Sequence, residues 1–184
     1  MPLGIIDSTL FARDPAKYGS SKKRNTKPIE EKESHRWLKS FQVVQQLASM
    51  VSETQIVSIA DREADIYELF AMAAEHDNAA GLLVRAQHNR SVEPSEKRLF
   101  THLHSQPEAA TLEVQIPPGP GRKARTARLT IRFAQVTLKA PVLKEKEPSI
   151  TLWGVEALEE RPPSGINPNL ALGRDEMAQG SEPK

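Results

Sequence analysis

Asp61, Arg62, Glu63 and Asp65 put more charge on one short turn than a packing role requires. Asp61 closes an apolar stretch, Gln55-Ile56-Val57-Ser58-Ile59-Ala60, that reads as a buried strand; the residues from Arg62 through Phe70 read as the start of a helix. A carboxylate at the carboxyl end of a strand stands where open α/β sheets place their ligand sites. Metal or phosphate chemistry suits such a turn. Asp is also a favoured helix N-cap, and a cap asks nothing further of it. Both readings stay open on these residues alone.

The wider string narrows them. Ser58-Ile59-Ala60-Asp61-Arg62-Glu63-Ala64-Asp65-Ile66-Tyr67, with Val84-Arg85-Ala86-Gln87-His88 further on, resembles the second-aspartate region of bacterial DDE transposases of the insertion-sequence-four family. Pro2-Leu3-Gly4-Ile5-Ile6-Asp7 and Ala12-Arg13-Asp14-Pro15 are similar to that family's third core strand and following loop. Pro28-Ile29-Glu30-Glu31-Lys32-Glu33-Ser34, with Trp37 and Leu38, resembles the lead-in to its next helix. Val136 through Pro141 and Pro162-Pro163-Ser164-Gly165 resemble its inserted β region, and the likeness stops near Pro168.

The resemblance implies a partial RNase H-like (retroviral-integrase-like) core followed by an antiparallel β-rich insertion. It implies cut-and-paste DNA transposition, with Mg2+ or Mn2+ as cofactor and the double-stranded DNA of transposon ends as partner. Two ions held by three carboxylates activate the attacking oxygen and stabilise the departing one. Asp61 matches the middle carboxylate, both catalytic and metal-binding. The first and third match nothing in this sequence, so a truncated chain, inactive alone, is expected. Arg85, His88 and Arg90 match basic positions that touch DNA, with Gln87 standing where the family has lysine. Lys22, Lys23 and Arg24 fall in a loop that would contact the DNA backbone. Tyr67 stands where related proteins carry a ring donor, or packs. A non-catalytic regulator that binds DNA or transposase subunits is the alternative. An independent hydrolase ranks last: Glu63 supplies a second carboxylate two residues on, but in a helix start rather than a loop.

Composition limits these readings less than it permits them. The 184 residues suffice for one ordinary domain, although the hydrophobic fraction is only 38%. With 25 basic and 24 acidic residues, whole-chain charge says nothing of a nucleic-acid partner. Distribution says more: Arg122, Lys123, Arg125, Arg128, Arg132, Lys139 and Lys144 lie in a stretch without Asp or Glu. That stretch is either a DNA-facing surface, with Arg122, Lys123 and Arg125 foremost, or an edge-strand charge pattern that discourages aggregation. The absence of cysteine fits a reducing compartment. No secretory signal and no stretch of about 20 apolar residues is visible, so a soluble, cytoplasmic protein with no membrane partner is expected.

The elements that must carry these residues follow from periodicity. Leu3 to Phe11 reads as a strand, and Pro28 to Val51 as a long helix with a stripe of Trp37, Phe41, Val44, Leu47 and Val51. The helix after Asp61 runs to about His76. Ala80 to Arg85 reads as a strand covered on both faces, because Leu82, Leu83 and Val84 are contiguous. A short helix spans Leu99 to Leu103. From Thr111, apolar residues alternate in the manner of antiparallel strands. Trp153 lies in one such run and reads as core. The expected organisation is residues 1–105 as partial core, 106–168 as β-rich insertion and 169–184 as a disordered, out-of-frame tail.

Overall fold

Gly81–Arg85 (β2) alternates between two environments. Leu82 and Val84 are buried while Leu83 between them is only half-buried. Successive strand side chains point to opposite faces, so the sheet built around β2 has one well-covered face and one that is less so. The computed structural model describes residues 4–6, 8, 28–51, 53–75, 80–93, 97–119, 123–141, 147–159 and 162, and the backbone of 176–179.

The chain is mixed α/β. Its strands are Val57–Ala60 (β1), β2, Val92–Glu93 (β3), Ala110–Ile116 (β4), Arg125–Leu138 (β5), Ile150–Leu158 (β6) and Glu176–Gln179 (β7). They form one sheet in the order β1-β2-β7-β6-β5-β3, with β4 also paired to β5. Among the described strands only β1 and β2 run parallel, Ala60 opposite Val84. Every other pairing is antiparallel. The period-two alternation from Thr111 therefore reads as intended, and it makes β5 one continuous strand. Its first half pairs with β4 and its second with β6.

Among the described residues three α-helices, His35–Met50 (α1), Tyr67–Ala74 (α2) and Leu99–His104 (α3), supply the other layer. Their apolar residues share a core with alternate residues of the sheet. Leu38 and Phe41 of α1, Leu69 and Phe70 of α2, and Leu99 and Leu103 of α3 pack with Leu82, Val84, Val136, Leu138, Ile150 and Leu152. The residues between those strand positions, among them Ile59, Leu83, Phe133 and Trp153, point the other way. A small second cluster of Ile116, Ala127 and Leu129 lies on that opposite face of the β4–β5 pair.

Several expected elements are corrected. The described residues of the Leu3–Phe11 stretch are not in a strand, and Ile5 is 86% exposed. The long helix begins at His35, after a 3-10 turn at Ile29–Glu31, because Lys32 adopts an extended conformation between them. β1 is not buried: it is the outermost strand beside β2, and Ile59 is 75% exposed. Leu83 is only half-buried, so β2 is fully covered on one face only. The helix after Asp61 is interrupted. A 3-10 turn at Arg62–Ala64 is followed by Asp65 and extended Ile66 before α2 begins. At 176–179 the expected disordered tail instead supplies β7, whose backbone joins β2 to β6 and satisfies two edges that would otherwise stay open. Among the described residues no helix is long and apolar enough to cross a membrane.

Candidate functional site at the ends of two parallel strands

Because β1 and β2 are parallel and in register, the chain leaves both at the same end of the sheet. Asp61 follows Ala60, and Arg85 follows Val84, side by side. The loops beyond them are tied together by Asp65. Its carboxylate is fully buried and its Oδ2 accepts the backbone N–H groups of Gln87 and His88, each at 2.7 Å. Arg90 Nε donates to Oδ1 at 3.2 Å, and Arg90 Nη2 donates to the Asp65 backbone carbonyl at 2.9 Å. The guanidinium also lies 5.8 Å from the Phe70 ring centroid. A buried carboxylate is tolerated when its lone pairs are met in this way. The backbone break at Asp65 is what turns that carboxylate inward.

Asp61 itself is exposed. Its Oδ1 accepts the Glu63 backbone N–H at 2.9 Å, which caps the Arg62–Ala64 turn. The cap that sequence allowed is thus the contact Asp61 makes. Glu63 is paired with Arg36, whose guanidinium also lies over the half-buried Trp37 ring at 5.5 Å. A two-ion centre needs converging oxygen ligands. Among the described residues no group of three or more His, Cys, Asp or Glu converges, and Asp61 and Glu63 are each engaged elsewhere. Among the described residues no set of side chains fits that pair of ions.

The basic residues divide into two sets. Arg90 is held in the Asp65 ion pair rather than standing free. Arg125 does not offer a free charge either. Both ends of its fork meet the buried Glu159 carboxylate, and that hydrogen bond raises the guanidinium above its ordinary pKa. Arg132 meets Glu156 at 3.3 Å and Lys139 meets Glu93 at 3.6 Å. Acids from β6, its end and β3 therefore neutralise much of a stretch that looks uniformly basic in sequence. Lys123 and Arg128 are exposed; Lys22, Lys23, Arg24 and Arg122 lie outside the described residues.

What remains at the strand ends is Arg85, half-buried, and His88, whose side chain is exposed while its backbone is held by Asp65. Among the described residues Arg85 makes no ion pair. The site can present cationic and N–H donor groups to an anion. Tyr67 packs rather than lining it: its ring is buried and its hydroxyl donates to the Pro148 carbonyl. Trp153 sits edge-on to Phe133, centroids 5.8 Å apart, on the sheet face away from the helices. Asp65 is the residue that sequence reading undervalued, since its partners lie 22 to 25 positions away. No family model matches this sequence.

Proposed function

We propose that the chain belongs with DDE transposases of the insertion-sequence-four kind. In this reading it carries the middle of an RNase H-like catalytic core and part of the β-rich insertion. These residues contact DNA without cutting it. The supporting observation is the pairing of parallel strands β1 and β2, which brings Asp61 and the Arg85–His88 segment to one end of the sheet. The D-R-E-A-D box and the V-R-A-Q-H segment, far apart in sequence, are bolted together there through Asp65. Arg85 and His88 are the groups that would meet phosphate oxygens. Asp61 stands beside them as a cap, one carboxylate where hydrolysis of this type needs three.

Restoring the partners of Asp61 tests the reading. DNA flanking the coding sequence is expected to encode an upstream strand ending in Asp and a downstream helix bearing Tyr-Arg-Glu-Lys. A chain joined to both should nick supercoiled plasmid with Mn2+, and Asp61→Ala should abolish the nicking. The 184-residue chain should not nick. Asp61→Asn separates the two roles of the carboxylate, because it keeps the cap but weakens a metal ligand. Nicking by the joined chain that survives Asp61→Asn and Asp61→Ala alike would refute the assignment of Asp61.

A non-cleaving regulator that binds transposase subunits is the second reading. It is favoured by the outer edge of β1, which pairs with no further strand among the described residues and where Val57 and Ile59 are exposed. An unpaired edge strand is a template for another chain.

A further inference from the structure

Four of the described arginines are answered by carboxylates: Arg36, Arg90, Arg125 and Arg132 each face an Asp or Glu. Two neighbouring cations beside the His88 turn differ. Among the described residues neither Lys97 nor Arg98 has an acidic partner, and both are exposed.

Their place is built rather than incidental. Arg98 Nη1 donates to the Asn89 carbonyl at 3.3 Å, and the Asn89 side-chain Oδ1 accepts the Phe100 backbone N–H at 3.0 Å. The Leu99 N–H donates to the Arg90 carbonyl at 2.8 Å, the Val92 N–H donates to the Lys97 carbonyl at 3.3 Å, and Ser91 bridges to Arg98. These bonds clamp the start of α3 onto the turn that Asp65 already holds. The Arg98 guanidinium is thereby fixed one residue from His88. One end of its fork is tethered, and Nε and Nη2 make no hydrogen bond among the described residues.

We propose that Arg98, with Lys97 beside it, contacts the phosphodiester backbone of duplex DNA and extends the Arg85–His88 surface. This inference rests on the functional reading above. A guanidinium fork matches phosphate oxygens in geometry and stays charged, and tethering one end limits the entropy lost on binding. Such a contact positions the duplex without reading its sequence.

The test is a titration of the full chain with a fluorescent mixed-sequence duplex, plotting the logarithm of affinity against that of salt concentration. Arg98→Ala is expected to make the slope shallower by about 0.9 for each phosphate released. Arg98→Gln keeps an amide donor for the Asn89 carbonyl but carries no charge, and should show the same loss. A wild-type slope in Arg98→Gln would mean that the side chain only braces the turn, and would overturn the inference. An unchanged slope in both variants, with the unaltered chain binding normally, likewise overturns the inference and leaves the Arg85–His88 reading standing. Failure of the unaltered chain to bind at about 50 mM salt removes the DNA-contact reading with it.

Discussion

Asp65 does the most for this structure with a single side chain. It closes an ion pair with Arg90 and takes the N–H groups of two consecutive residues, so one carboxylate sets the path of a whole turn. Asp65→Asn would leave the mostly buried Arg90 guanidinium without an acid and turn an amide toward N–H donors. Removing one partner of a buried pair costs about 3–5 kcal/mol. The variant is expected to show that loss in urea unfolding. Hydrogen exchange should find the amides of Gln87 and His88 the first to lose protection. An Asn variant that unfolds at the wild-type midpoint would show that the turn is held by something else. Sequence made Asp61 conspicuous because the end of an apolar run is a local signal. Asp65 looks the same locally, and its importance lies in a turn that only the fold brings near. The same blindness affected the basic stretch, where Glu156 and Glu159 are distant in sequence from the arginines they neutralise.

Among the elements, the strands from Ala110 to Leu158 were legible because one wet face and one packed face impose alternation. The helices were legible in kind but not in their starts, where one residue's backbone angles decide the matter. α3 shows how closely the two layers meet. Gly154 of β6 lies under Leu103, and a Cβ added there would stand 3.1 Å from both Leu103 Cδ atoms, with Leu103 itself wholly buried. Gly154→Ala should therefore destabilise by about 1–3 kcal/mol through overpacking. Leu103→Ala should cost about 2–5 kcal/mol by opening a cavity. In the double variant the new methyl enters the space that the leucine vacates. The pair should cost clearly less than the sum of the two single variants in a double-mutant cycle. Additive costs would mean that α3 does not rest on Gly154.

At the scale of the whole molecule, the layer of described helices lies against one face of the sheet, the face of Leu82, Val84, Val136 and Leu152. Antiparallel sheets tolerate a wet face; parallel pairs such as β1–β2 usually have both faces covered. Here the opposite face presents Val57 at 44%, Ile59 at 75% and Phe133 at 38% exposure. Among the described residues, apolar surface and an unpaired edge coincide on β1, at the margin of the sheet nearest the Asp61 turn. That combination favours association of one chain with another. Ile59→Lys places a charge on the exposed edge and removes apolar area without entering the core. It should lower concentration-dependent light scattering while moving the stability within about ±0.5 kcal/mol, as surface changes do. Large destabilisation would instead show that Ile59 is covered in solution. Unchanged scattering with unchanged stability would show that β1 does not recruit other chains, and would leave the subunit-binding reading without its support.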